Sequence, residues 1–147
     1  MEEQKEEQRT TDLYTALAVD LDKVENGYWD KDFQPGLDLR IARAGSKRYQ
    51  EMYQRLVDEA QAAKAMDGGG DLDPDVGEEI IVKCIAHTIL VGWRNLKYKG
   101  EMLDYSPEKA FEILSEPEMR EFRERVWRRA SRLESYLKGR DEADVGN

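Results

Sequence analysis

The chain has 147 residues, with 23 Lys and Arg against 32 Asp and Glu, a net charge of -9, and 37% charged residues, well above the norm of about 25%. One domain is the default, and a chain of this length buries enough surface to fold without a disulfide or a structural metal. A single cysteine, Cys84, and a single histidine, His87, exclude a disulfide framework and a zinc site, and point to a reducing compartment. The acidic excess argues against non-specific nucleic-acid binding, which runs on Lys and Arg. Residues 1–75 hold 10 basic and 18 acidic groups and residues 76–147 hold 13 and 14, so nearly all the negative charge lies in the first half.

Residues 1–11 and 138–147 are charged and poor in apolar side chains, and read as disordered tails. The amino-terminal stretch lacks the apolar core of a secretory signal. The longest apolar stretch, Ile80 to Trp93, is interrupted by Lys83 and His87 and falls short of the roughly 20 residues a membrane span needs. A single domain is expected over 12–137, with an N-terminal arm over 12–44 and a flexible linker over 66–75.

From Leu13 to Leu21 apolar residues alternate with polar ones at a period of two, which predicts a strand; Ala16 and Ala18 leave a short helix open. Leu37, Leu39 and Ile41 alternate against Asp38, Arg40 and Ala42, beyond the turn dipeptides Asn26-Gly27 and Pro35-Gly36. The two stretches together predict a small antiparallel arm. Ser46 then caps a helix whose stripe is Tyr49, Met52, Tyr53, Leu56, Val57, Ala60 and Ala63, a face that needs a partner surface. The glycine- and aspartate-rich run Asp67 to Asp75 fails as a calcium loop: framed from Asp71, Val76 falls where the sharp-turn Gly belongs and Val82 where the bidentate Glu belongs.

Residues 76–92 form the most apolar segment and are expected as the central core helix, with Gly92 as its stop. Trp93 to Tyr105 reads as a loop or short hairpin around Gly100. Ser106-Pro107-Glu108 starts a short helix presenting Ala110, Phe111, Ile113 and Leu114. Pro117 opens a last helix that runs to about Leu137, with Glu116–Arg120, Glu121–Arg125 and Glu124–Arg128 at salt-bridge spacing. The fold class expected is mainly α, a four-helix domain with an N-terminal extended arm or β-hairpin.

No catalytic, cofactor or metal constellation emerges. Cys84 and His87 are three residues apart on one helix, but their neighbours Ile80, Ile81, Ile85 and Ile89 would suppress a thiolate, so a packed thiol is the better reading. Gly68-Gly69-Gly70 lacks the Lys-Ser/Thr of a phosphate loop. The arginine series Arg120, Arg123, Arg125, Arg128, Arg129 and Arg132 is either a face laced by the interleaved glutamates or a surface for an acidic partner. Trp29, Trp93 and Trp127 are lids on a core or anchors of an interface.

Val91-Gly92-Trp93-Arg94-Asn95-Leu96, Gly100, Tyr105-Ser106-Pro107-Glu108-Lys109-Ala110, Leu114, Pro117-Glu118, and a Phe122 helix closing in Leu133-Glu134-Ser135-Tyr136 resemble the tail assembly chaperones of long-tailed bacteriophages. Leu39-Arg40-Ile41-Ala42-Arg43 with Gly45-Ser46 and Tyr49 resembles the segment before the first helix there, and the likeness spans about residues 19–137. The resemblance implies a non-enzymatic protein without cofactor, made in the host cell cytoplasm. It would keep the tape measure protein soluble, help recruit the major tail tube protein, self-associate, and be absent from the mature virion; a frameshifted longer form is common in that family. On this reading Trp93, Arg94, Asn95 and Tyr105 form a structural corner that also offers partner contact. Trp29, Leu39 and Ile41 are the candidates for pairing the arm with a neighbouring subunit, and Arg128 and Arg132 would serve an acidic partner. Two other roles compete: a head–tail connector or minor tail component, and a small DNA-binding regulator using the arginine helix.

Overall fold

A computed structural model of the chain describes residues 9–139; the terminal stretches 1–8 and 140–147, and the tails expected there, lie outside the described residues. Two short helices, α1 (Leu13–Leu17) and α2 (Leu21–Asn26), lead into a hairpin of β1 (Tyr28–Gln34) and β2 (Leu37–Ile41). Next come α3 (Lys47–Met66) and α4 (Pro74–Cys84), which runs through a π-helical turn (Ile85–Ile89) directly into β3 (Leu90–Arg94). A small hairpin, β4 (Lys97–Tyr98) and β5 (Glu101–Met102), precedes α5 (Pro107–Ser115), a 3-10 turn (Pro117–Met119), α6 (Arg120–Ala130) and a last 3-10 turn (Leu133–Tyr136).

The mainly α expectation is therefore corrected: helices share the core with a three-stranded antiparallel sheet in the order β1-β2-β3. The sequence pattern misled at two places, for separate reasons. Around Leu13 to Leu21, Asp20, which mimics the outer face of a strand, is a helix cap, and so is Asp12 just ahead of the stretch. Asp12 accepts from the Thr15 N–H, and Asp20 accepts from the N–H groups of Asp22 and Lys23. Only Val19 keeps a strand-like role, in an isolated bridge to Leu137. Flanking hydrogen bonds, Asp20 N to Tyr136 O at 2.7 Å and Lys138 N to Ala18 O at 2.8 Å, tie this segment to the far end of the chain.

The second place is 85–94, read as the end of the core helix. A continuous apolar run carries no period that separates a buried helix from a buried strand. Ile85, Thr88, Ile89 and Val91 are β-branched and Gly92 is a poor helix former, so the helix loosens into a π turn and the chain extends against β2.

With β3 on one side and β1 on the other, β2 is the central strand. Leu39 pairs with both Asp30 and Trp93, and Ile41 with Tyr28 and Leu90. The expected free arm is thus an interior element, and Leu39 and Ile41 have no solvent exposure. They are not available to a neighbouring subunit. Inward side chains of the sheet meet Ile89, Leu114, Val126 and Tyr136, all fully buried. Tyr136 packs edge-on against Tyr28 at 5.1 Å and donates to the Ile41 carbonyl at 3.1 Å.

Helix α3 is held differently. Ser46 caps it by accepting from Tyr49 N–H, and the Glu25 carboxylate, from the end of α2, accepts from the N–H groups of Lys47 and Arg48 at 2.8 and 3.1 Å. That fixes its start, yet none of its residues is fully buried. Its apolar stripe runs along α4 and meets the core only at its start, where Tyr49 packs half-buried against it.

Candidate protein-binding groove

The stripe on α3 is wider than the surface α4 offers it, and the excess forms a groove. Tyr49 and Tyr53, one helical turn apart, stack with parallel rings 6.2 Å between centroids, and the Trp127 indole of α6 leans against Tyr49 at 5.6 Å. Ile81 of α4 closes the floor. Tyr53 and Ile81 are each 40% exposed and Trp127 is 36% exposed, a concentration of large apolar side chains at the surface. Tyr49, Ile81 and Trp127, with Ile85 and the rim residues Arg123, Glu124 and Arg128, line a cavity of about 440 Å³ open to solvent, and Tyr53 stacks beside it.

Charge at the rim is uneven. Arg123 is held by Glu78 of α4 at 2.8 Å. Arg128 has no ion pair among the described residues, so the open side of the groove is cationic. Burial pushes the Tyr49 hydroxyl up to about 12, which keeps the groove wall neutral. The groove offers apolar contact, two stacked phenol rings and one unneutralised guanidinium, the equipment of a peptide-binding surface. Among the described residues no group of three His, Cys, Asp or Glu is placed to hold a metal ion.

The residues singled out from sequence fall at three other places. Trp93 and Tyr105 meet edge-on at 4.9 Å where β3 turns toward β4. The indole N–H donates to Leu103 O at 2.8 Å, and the Tyr105 hydroxyl, shared between Leu90 O at 2.7 Å and Ala86 O at 3.2 Å, fastens the π turn to the strand. Asn95 sits beside them in a left-handed conformation (φ 61°) that makes the turn. Arg94, alternating to the opposite face, lies 3.8 Å over the Trp29 ring and pairs with Asp38 at 3.1 Å. Trp29 is thereby half-covered within its own sheet.

The arginine series divides. Arg125 donates to Gln34 and to the Phe33 carbonyl, its guanidinium over the Phe33 ring. Arg129 reaches the fully buried Asp30. Of the glutamate pairs expected along the helix, none forms among the described residues: Glu116 lies ahead of the 3-10 turn and binds Tyr98 and Lys99, while Arg120 pairs forward with Glu124 at 3.6 Å. Arg128 and Arg132 remain exposed, at a depression that also takes in Trp127 and Ser131. Cys84 is fully buried, its thiol raised to about 11 by burial.

The sequence placed Tyr49 and Tyr53 on a helix face that needs a partner surface and left Trp127 as either a lid on the core or an interface anchor, without bringing the three together. The available signal was the helix that needed a partner surface. Asp30 gave no signal, since its partner lies 99 residues away.

Residues 44–147 match the family model described as YdaY prophage protein. The chain belongs to this family. Membership makes it a phage-derived protein. The YdaY match begins just past β2, so it takes in α3, α4 and α6 with every groove residue, and leaves out the two strands that complete the sheet beside β3. No curated protein and no solved structure matches this YdaY-family chain.

Proposed function

We propose that this YdaY-family protein is a non-catalytic assembly chaperone that holds an apolar helical segment of a phage partner in the groove between α3, α4 and α6. The observation that carries the reading is the exposed cluster of Tyr53, Ile81 and Trp127 beside Tyr49, large apolar side chains from three helices gathered at one open cavity of a strongly charged chain. A folded monomer gains nothing from leaving such side chains in water, and an amphipathic helix laid into the groove would cover them through anchors one turn apart. The cationic rim at Arg128 favours a segment whose apolar face is flanked by acidic residues.

The partner we propose is the tape measure protein of a long-tailed phage, the long apolar chain that the resemblance over residues 19–137 points to, with tail tube protein joining the complex later. The work is done in the host cytoplasm, in self-associated form, and ends before the virion is complete. Among the described residues no helix is long and apolar enough to cross a membrane. The DNA-binding alternative is less favoured because Arg123, Arg125 and Arg129 are already engaged within the chain.

Co-expression tests the reading. The full chain should carry the tape measure protein of its own phage into the soluble fraction and co-purify with it. A variant combining Ile81→Glu with Trp127→Glu should keep its circular dichroism and lose the partner. A tape measure protein that stays insoluble beside the unaltered chain contradicts the proposal, and so does the chain's recovery in purified virions, which would favour a connector or minor tail component.

A further inference from the structure

Away from the groove, where β2, α2, α3 and the π turn converge, lies a second concavity of about 460 Å³, lined by Asn26, Arg40, Arg48, His87, Val91, Tyr105 and Pro107. Three of those side chains are cationic or imidazole and none is acidic, in a chain of net charge -9. No carboxylate lies within 4 Å of the charged atoms of Arg40, Arg48 or His87 among the described residues. The acids of the neighbourhood are otherwise employed: Glu25 binds the backbone N–H groups that start α3, and Glu51 is turned to Lys47. Glu108, whose charge acts on the Tyr105 hydroxyl, is exposed.

Arg40 is built into this place. Its stem runs through a slot left by two glycines: a Cβ on Gly27 would stand 3.0 Å from the Arg40 Cγ, and one on Gly92 would stand 3.3 Å from its Cβ. Gly27 has φ 94°, and the Asn26-Gly27 turn that supplies it lies at the cavity wall. The Arg40 Nε is buried and has no hydrogen-bond partner. A buried guanidinium N–H without an acceptor carries a desolvation cost, and the Trp29 ring, 5.9 Å from the Arg40 guanidinium carbon, offsets it only as a cation–π contact. The π turn that carries His87 is a backbone irregularity of the kind that re-aims side chains at binding sites.

We infer that this concavity is an oxyanion site for a phosphorylated small molecule, with the phosphoryl group between Arg40 and Arg48, a proton donated by the His87 imidazole, and the remainder of the molecule against Val91, Tyr105 and Pro107. Arginine forks suit a phosphoryl group, and the imidazole keeps at least one N–H donor in either protonation state. The space exceeds what a bare phosphate fills and falls within the range of small-molecule sites. The inference is independent of the groove and of its occupant.

The test follows the amide resonances of Gly27 and Gly92 and the His87 ring by NMR on the full chain. The titrants are inorganic phosphate, adenosine monophosphate, adenosine, and sodium chloride at matched ionic strength. Saturable shifts at all three residues with phosphate, tighter with the monophosphate and absent with adenosine, are the expected result. Arg48→Gln, at an exposed position, should weaken the phosphate response about tenfold with the rest of the spectrum unchanged, and Arg40→Gln should do the same. Shifts that chloride reproduces, shifts that fail to saturate, or an unaltered response in Arg48→Gln would overturn the assignment.

Discussion

Asp30 places a carboxyl in the core of the fold. Its carboxyl is fully buried, one oxygen is paired with Arg129, and the other has no partner. Burial raises its pKa, and Arg129 pulls it only part of the way back. The folded chain thus holds the Asp30 proton more tightly than the unfolded chain. Its contribution to stability is complete below the unfolded value of about 3.9 and is lost as the pH rises through the higher folded value. Asp30→Asn should flatten that limb of the stability–pH profile, read by urea denaturation between pH 3 and neutrality. Arg129→Met leaves the carboxylate alone in the interior and should cost about 3 kcal/mol at neutral pH. That cost should shrink toward pH 3, where Asp30 is protonated. Tyr105→Phe removes the hydroxyl that ties Leu90 and Ala86 together, and a loss of about 1–2 kcal/mol in the same assay is expected.

At the scale of elements, the sheet depends on a strand that was expected to reach out to a neighbouring subunit. Deleting residues 1–44 removes β1 and β2 and strips β3 of its partner, so the remaining fragment, nearly the whole family-matched span, should show no cooperative unfolding transition. A cooperative transition in that fragment would mean that α3 to α6 form a self-sufficient unit. What could be read in advance follows from local chemistry. Leu37 to Ile41 carries a clean period of two and is a strand; Ser106-Pro107 and Ser46 carry capping chemistry, and helices start there. What could not be read depends on distant partners. The apolar run 85–94 passes from a π turn into a strand at Leu90 because β2 has an edge to fill, and Asp20 looks like part of a polar strand face until the helix it caps is seen. The groove was half legible: the stripe on α3 is plain, but its incomplete coverage by α4 is a property of the packed structure alone.

For the whole molecule the charge asymmetry takes a different meaning once the chain is folded. Part of the attraction between the basic last helix and the acidic first half is satisfied internally, by Arg129 on Asp30 and Arg125 on the Phe33 carbonyl. What remains for neighbours is Arg128 and Arg132 facing outward. Self-association through these arginines should weaken as ionic strength is raised to about 0.5 M, where screening acts within a few ångströms, and light scattering across that range reads it. An oligomer indifferent to salt would instead place the contact on apolar surface. The central claim is that the α3–α4–α6 groove holds a helical segment of the tape measure protein, and amide hydrogen exchange on the co-expressed complex tests it most directly. Protection over residues 49–57, 78–85 and 123–128, with the β4–β5 hairpin unchanged, is the predicted pattern; a complex that protects other faces and leaves those three segments exchanging as in the free chain would contradict it.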